Sequence, residues 1–255
     1  MRPNRPEPLA FRDLDVDYDD PLLRSFHRDV LAPSFSPDEL EDVETLARGL
    51  RGDGDTERLT TIAVADDGTV LGGVVGEIYR REGVLLLAYL AVRPGLRGLG
   101  LGTKLMEHVA SRWYARPAVR LALAEVHDPR AWSGVEGEAP LRRLRLYARL
   151  GARVLGVPFV QPALSAERAR VPGFLLLAFH VDPSVERPQG GGSAVGSDLV
   201  SRFVRRYYES VEGVRAPYDP QLAQLLELID EHSSIRLLPV GEYDRVPPLA
   251  RLESA

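Results

Sequence analysis

Residues Val84 to Trp113 read VLLLAYLAVRPGLRGLGLGTKLMEHVASRW. An apolar, β-favouring run stops at Arg93-Pro94. The glycine-rich turn Arg97-Gly98-Leu99-Gly100-Leu101-Gly102 follows, and a helical pattern takes over at Thr103. A strand feeding a glycine loop that opens a helix is a natural grip for phosphate. The first helical N–H groups have no intrahelical partners, and the helix dipole adds partial positive charge there. Gly98, Gly100 and Gly102 let the backbone approach an anion with no Cβ in the way, whereas a bare turn needs one such glycine rather than a series. Beyond the loop, Leu105, Met106, Val109, Ala110 and Trp113 form an apolar stripe that predicts the face packed on a sheet.

The spacing narrows the ligand. A dinucleotide fingerprint wants G-x-G-x-x-G, and Thr103 stands where its last glycine belongs; a P-loop wants G-x-x-x-x-G-K-[ST], and Lys104 is at the wrong distance. What remains is R-x-x-G-x-G at Arg97, Gly100 and Gly102, directly after Leu90-Ala91-Val92-Arg93-Pro94. That combination resembles the acetyl-CoA-binding segment of the GNAT superfamily of N-acetyltransferases. The resemblance implies that the loop Arg97, Gly98, Leu99, Gly100, Leu101, Gly102 and Thr103 holds the CoA pyrophosphate. It also implies that the strand residues Leu90, Ala91 and Val92 pair with the pantetheine arm. A backbone N–H of Leu90 or Ala91 would then polarise the thioester carbonyl.

A second stretch, Arg145-Leu146-Tyr147-Ala148-Arg149-Leu150-Gly151-Ala152, is similar to the family's helix-ending L-Y-x-x-L-G-F motif. By local physics Pro140 starts this helix, Leu141, Leu144 and Ala148 share a face, and Gly151 supplies the left-handed stop. The resemblance makes Tyr147 the general acid for the departing CoA thiolate, a role that gives typically ~10²–10⁴-fold. Two positions depart from the family pattern. Pro140 stands where relatives often carry an asparagine that contacts the pantetheine, and Ala152 replaces a phenylalanine.

An acceptor amine must lose its proton before it attacks, and a carboxylate is the usual helper. Glu125, near the end of Leu121-Ala122-Leu123-Ala124-Glu125-Val126, and Glu77, in Val75-Gly76-Glu77-Ile78-Tyr79, are the two candidates. His127 reads as a loop residue beside Asp128-Pro129. The acceptor-side candidates are Tyr89, on the strand before the glycine loop, and Gln161, in an expected loop over Pro158–Pro172. Glu136, Glu138 and the cluster Asp17, Asp19 and Asp20 are acidic groups able to attract a cationic amine, or simply solvated surface. The histidines lie without metal-ligand spacing, so no metal is expected.

Composition agrees with this reading. The 255 residues carry 44% hydrophobic residues, a net charge of −5 and no cysteine. Disulfides and thiol catalysis are thereby excluded, and the acidic balance argues against a nucleic-acid partner. Lys104 is the only lysine. No run reaches the ~20 apolar residues of a membrane span, and the first residues lack an apolar signal core, so a cytoplasmic protein with no membrane partner is expected.

Along the chain the pattern predicts a strand over Leu9–Val16 and helices over Pro21–Val30 and Pro37–Leu50, the second capped by Ser36. A hairpin follows over Arg58–Ala65 and Val70–Arg80, turning at Asp66-Asp67-Gly68. After the loop-helix segment come a strand over Val119–Val126, a helix over Pro140–Leu150, and strands over Ala152–Val157 and Phe174–Val181. The fold class is α+β. The resemblance makes it a GNAT fold, with a mixed, mostly antiparallel central sheet flanked by helices.

Residues 1–8 are assigned to a tail and 9–182 to the acetyltransferase domain. Residues 183–196 read as a flexible Pro/Gly/Ser linker, and 197–255 as a helical C-terminal extension. Within that extension, helices over Ser197–Val211 and Pro220–Glu231 and a short strand over Ser234–Val240 are expected. Their apolar stripes must cover this chain's own core or mediate a homodimer. Two functions follow from the resemblance. One is an acetyl-CoA-dependent enzyme acting on a small-molecule amine, or alternatively on a protein amine. The other is a non-catalytic acyl-CoA-binding module.

Overall fold

The computed structural model describes residues 9–14, 21–52, 54–165, 167–213 and 218–248. They fall into two units, one drawn from Met1–Ile78 and Leu87–Arg116, the other from Tyr79–Leu86 and Pro117–Ala255.

The first unit contains strands β1 (Leu9–Leu14), β2 (Thr56–Ala65), β3 (Val70–Tyr79) and β4 (Val84–Val92), neighbours in that order, and helices α1 (Pro21–Phe26), α2 (Val43–Gly49) and α3 (Leu101–Val109). The turn ends of β3 and β4 belong to the second unit. β1 pairs antiparallel with β2, Leu9 opposite Ala65 and Leu14 opposite Thr60. The Asp66-Asp67-Gly68 turn closes as expected, with the Gly68 amide donating to the Ala65 carbonyl at 2.9 Å. Phe26 of α1, Val30 and Leu31 just after it, Leu46 of α2 and Ile62, Val64 and Val75 of the strands share one buried cluster with Tyr89 and Ala91 of β4. Each of the Phe, Val, Leu and Ile side chains contributes roughly 1.5–3 kcal/mol of transfer free energy on burial.

Two helices differ from expectation. The stretch read as one helix over Pro37–Leu50 is a single tight turn, Pro37–Glu39, followed by extended backbone at Leu40 and then α2. Two N-caps compete within it. Glu39 reaches back to accept from the Ser36 amide and hydroxyl, at 3.3 and 2.5 Å, while Asp42 accepts from the Thr45 amide at 2.7 Å and starts a fresh helix. The expected Pro21–Val30 helix is α1 continued by a wider π-helical turn, His27–Leu31. A similar turn, Ala110–Tyr114, extends α3. Val16 and the acidic cluster Asp17, Asp19 and Asp20 lie outside the described residues, as does the tail 1–8.

The second unit contains β5 (Leu121–His127), α4 (Pro129–Glu136), α5 (Ala139–Arg149), β6 (Arg153–Gln161), β7 (Val171–Val181), β8 (Glu186–Gln189), β9 (Gly192–Gly196), α6 (Ser197–Glu212), α7 (Pro220–Asp230) and β10 (Ser234–Pro239). Its strands run in the order β5-β7-β6-β10-β9-β8, each pair antiparallel. α4 escaped the sequence reading although its signal is present: Asp128 caps it by accepting from the Arg130 amide at 2.9 Å, and Pro129 takes its first position. His127 is therefore not a loop residue but the buried end of β5.

The expected linker over 183–196 is a correction. It forms the hairpin β8–β9, with Gln189 opposite Gly192. Gly190 and Gly191, at φ 55° and 79°, supply the consecutive positive angles that a two-residue hairpin turn requires. A glycine run that reads as flexible by composition is here a turn device. The expected loop over Pro158–Pro172 is also shorter, because β6 continues to Gln161 and β7 begins at Val171.

The C-terminal helices cover their own unit. Val200, Phe203, Val204 and Tyr207 of α6 and Leu222, Leu225, Leu226 and Ile229 of α7 lie in one core with Leu121 and Leu123 of β5, Leu155 and Phe159 of β6 and Leu176 of β7. No helix among the described residues is long and apolar enough to cross a membrane.

Candidate functional site

In the first unit β4 delivers the chain to the glycine loop. Tyr89 and Ala91 are buried on one face of β4, while Leu90 and Val92 alternate onto the other. After a short turn at Pro94–Leu96, Arg97 is extended, and Gly98 and Gly100 take φ of 82° and 84°. Those left-handed angles favour glycine strongly over any residue with a Cβ. Leu99 between them is 74% exposed, so it fills no core. A Cβ added at Gly98 or Gly100 would meet nothing within 4 Å. The backbone there borders open space.

α3 begins at Leu101, and its first intrahelical bond runs from the Lys104 amide to the Gly100 carbonyl, 3.1 Å. The amides of Leu101, Gly102 and Thr103 thus open the helix without intrahelical partners, at the positive end of its dipole. Gly102 has no left-handed angle, and a Cβ there would touch only Val92 Cγ2 at an ordinary 3.8 Å. Neither its backbone nor its packing asks for glycine. Arg97 is held at the loop entrance by donating to Ser34 Oγ at 2.9 Å and to the Val92 carbonyl at 3.4 Å. The set fits a pyrophosphate: consecutive donors, a nearby guanidinium and no side chain over the backbone.

The same unit holds a buried charge cluster. The Arg58 guanidinium, 8% exposed, donates to both oxygens of Glu41 at 2.7 and 3.1 Å, and one of the same nitrogens lies 3.5 Å from Glu77. Burial acts to lower the Arg58 pKa, but Glu41 and Glu77 hold it above its ordinary value. Burial pushes the Glu41 carboxyl up, against the pull of Arg58. Tyr89 belongs to this cluster, its hydroxyl accepting the Glu41 amide at 3.1 Å and its ring lying edge-on to Phe35. The two residues singled out in the sequence, Glu77 and Tyr89, thus lie within one polar network with Arg58 and Glu41, which were not.

In the second unit Glu125 stands on β5 opposite Leu176 of β7. Its Oε2 accepts from Gln161 Nε2 at 2.8 Å and from the Tyr207 hydroxyl at 3.2 Å. Gln161 is not on an open loop; it is the buried last residue of β6. Glu125 and Gln161 had been picked out separately, and the fold brings them into contact. Tyr207 was visible only as part of an apolar stripe, which conceals where a hydroxyl ends up.

Tyr147 lies on α5, partly buried, its ring edge-on to Phe179 with centroids 5.2 Å apart. Burial pushes its phenol up, and the Arg143 cation one turn earlier pulls it partly back. The proton is therefore held at neutral pH. Arg143 in turn bonds Glu136 and lies 3.1 Å from His127 Nδ1, and His127 stacks on Trp132 with centroids 3.9 Å apart. The acidic turn expected at Glu136-Gly137-Glu138 is accordingly not all solvated surface. Glu136 is tied to Arg143 and to His127, while Glu138 lies 3.8 Å from the exposed Arg142.

Residues 23–151 match the family model described as the acetyltransferase (GNAT) family. A GNAT-family protein from Bacteroides thetaiotaomicron is similar in structure, with a TM-score of 0.56 at 20% identity over 81% of this chain and 99% of that one. Another, from Desulfovibrio desulfuricans, gives a TM-score of 0.44 at 22% identity over 67% of this chain and 97% of its own. The first likeness shows the fold, a mixed sheet flanked by helices. No curated protein matches the chain.

Proposed function

The chain belongs to the acetyltransferase (GNAT) family of acyltransferases, and from that premise we propose that it moves an acetyl group from acetyl-CoA directly to the primary amine of a small metabolite. The observation that carries this is the loop Arg97–Thr103, whose left-handed glycines and uncovered helix-opening amides form a pyrophosphate cradle. Acetyl-CoA, when bound, supplies the thioester. The amides of the loop and the Arg97 guanidinium bind its diphosphate, and the edge of Leu90, Ala91 and Val92 aligns its arm. The amide of Leu90 or Ala91 stabilises the negative charge that develops on the thioester oxygen.

Of the two candidate bases, we assign Glu125. Glu77 is engaged in a buried ion cluster, 3.5 Å from the Arg58 guanidinium that also grips Glu41. Glu125 is held instead by neutral donors. With acetyl-CoA bound, Glu125 would take one proton from the incoming ammonium. As the amine nitrogen bonds the acetyl carbon and the carbon–sulfur bond breaks, Tyr147 would protonate the departing thiolate, and the second proton shed by the nitrogen would restore the Tyr147 phenol. A raised phenol pKa suits that last step, because the donor must arrive protonated.

We favour a small acceptor over a peptide because both described ends of the β6–β7 connection are tied to α6. There Glu212 of α6 accepts from the Ala163 amide at 2.6 Å, and Arg170 bonds both Glu212 and Asp219. On this view the catalytic domain spans 9–182, and the extension that follows contributes α6 and α7, which brace the second unit.

Calorimetric titration with acetyl-CoA tests the proposal. Wild type is expected to bind in the micromolar range, Gly100→Glu to lose binding, and Tyr147→Phe to keep it. A wild type that does not bind acetyl-CoA would overturn it. Release of CoA with a panel of primary amines then identifies the acceptor.

A further inference from the structure

We infer that Tyr207 and Gln161 are positioning residues for Glu125, so that the C-terminal helix α6 is a working part of the transferase rather than an appendage to it. The inference rests on the assignment of Glu125 as the proton acceptor and goes beyond it, because nothing in the family match reaches residue 207.

Gln161 and Tyr207 come from different elements, 36 and 82 positions from Glu125, yet both donate to the same oxygen, Oε2. A carboxylate only accepts, so the contact fixes the orientation of the Gln161 amide, with Nε2 toward Glu125 and Oε1 away. Gln161 is 7% exposed, and its Oε1 has no hydrogen-bond partner among the described residues. Burying an amide with one end unsatisfied is unfavourable, and a residue that merely filled space would do better as an apolar isostere. The amide is there for what its nitrogen does.

Tyr207 is equally fixed. Its ring stacks on Phe203 at 5.8 Å and lies edge-on to Tyr79 at 6.1 Å. One residue on, the Tyr208 hydroxyl donates to the Val160 carbonyl at 2.7 Å, beside Gln161 itself. Further along α6, Glu212 grips Ala163 and Arg170. The helix is therefore locked to the end of β6 independently of Glu125, and the Tyr207 hydroxyl is a fixed post to which the carboxylate conforms. Among the described residues, the ionisable groups around this contact include His127, two positions on along β5, Tyr79 against the Tyr207 ring, and Tyr208, Arg170, Glu212 and Asp219. None of them is altered in the variants below.

Donors to the ionised carboxylate favour that form, so removing one must move its titration upward. The test is ¹³C NMR of the full chain labelled at glutamate Cδ, with the Glu125 signal identified by its loss in Glu125→Gln. Tyr207→Phe keeps the ring and its packing and removes only the hydroxyl. Its expected effect is an upward shift of the Glu125 midpoint by about one pH unit, with Gln161→Leu acting in the same direction. With an amine substrate, the acid limb of kcat/KM is expected to move with the midpoint.

Midpoints unchanged in both variants would overturn the inference. So would a fall in thermal stability, with midpoint and limb both unmoved. Wild-type kcat/KM in Glu125→Gln would instead overturn the assignment of the base, and the inference with it. That result is distinguishable, because the midpoint in Tyr207→Phe would still move.

Discussion

Arg97 to Thr103 are one short run of sequence, and what they present is backbone: amides at the head of a helix, two left-handed glycines, and open space above them. Glu125, Gln161 and Tyr207 come from two strands and a helix, 82 positions apart at the extremes, and what they present is side chain. The first region depends on φ angles and on the absence of Cβ atoms. The second depends on hydrogen-bond donors that packing delivers from a distance. Substitutions in the loop should therefore act on affinity through sterics, and substitutions in the second unit on rate and proton affinity through chemistry.

The largest expected effect tests that division directly. Tyr147→Phe removes the proton donor but no packing volume, so kcat should fall by ~10²–10⁴-fold. Acetyl-CoA affinity, measured by calorimetry, should not change. A lost affinity with an intact rate would break the comparison, because Tyr147 would then be a binding residue. The pH dependence follows from the raised phenol. The acid form is the active one, so activity lost by deprotonating Tyr147 should fall only above about pH 10, the ordinary tyrosine value. Since Arg143 pulls the phenol down, Arg143→Met should move that limb higher still, and a limb moving down would contradict the assignment.

A smaller effect is expected from the brace that holds α6. Arg170 bonds Glu212 and Asp219, and its guanidinium lies 5.0 Å from the centre of the Tyr208 ring. Arg170→Met leaves two partly buried acidic groups without their cation and should cost about 1–3 kcal/mol in urea denaturation near pH 7. Arg170 is the main reason that the Asp219 carboxyl is held below its usual value, with burial opposing. A depressed folded pKa gives stability that is present above the unfolded value and lost as pH falls through the folded one. The difference between wild type and Arg170→Met should accordingly shrink below about pH 4. A gap that stayed constant into acid would mean that Arg170 acts by packing alone. The second region would then be less electrostatic than its geometry suggests.

The same contrast explains what could be read from the chain. The glycine loop was legible because a cradle of backbone needs particular residues at consecutive positions, and Arg97, Gly98, Gly100 and Gly102 stand in order. The α5 ending was legible for the same reason, Gly151 taking φ of 79° after Arg149 and Leu150. The contact of Glu125 with Gln161 and Tyr207 was not, because it is fixed by strand register and by how α6 crosses the sheet. In sequence, Tyr207 is indistinguishable from Phe203 as one more residue of an apolar stripe. The hairpin β8–β9 was missed although its cue is local. Gly190-Gly191 serves equally a flexible tether or a tight turn, and only the strand partners, β9 against β10, decide between them. Asp128-Pro129 was likewise a helix start taken for a loop, since a short helix such as α4 has too few turns to show periodicity.

Gly102 gives the smallest effect and the sharpest division. Gly100 sits at φ 84°, so any side chain there is strained, and lost binding in a Gly100 variant could come from a distorted loop. Gly102 lies inside α3 with helical backbone, and a Cβ would make only one ordinary contact, with Val92. Alanine is a better helix residue than glycine by roughly 0.5–1 kcal/mol. Gly102→Ala should therefore raise the unfolding free energy by up to about that amount, while a methyl added beside the amides that open α3 is expected to weaken acetyl-CoA binding several-fold. Greater stability with poorer binding has no structural explanation other than a ligand that uses the bare backbone. Gly102→Ala that gained stability and kept full affinity would show that the diphosphate rests on the amides of Gly98 to Leu101 and leaves Gly102 untouched, shortening the cradle by that residue.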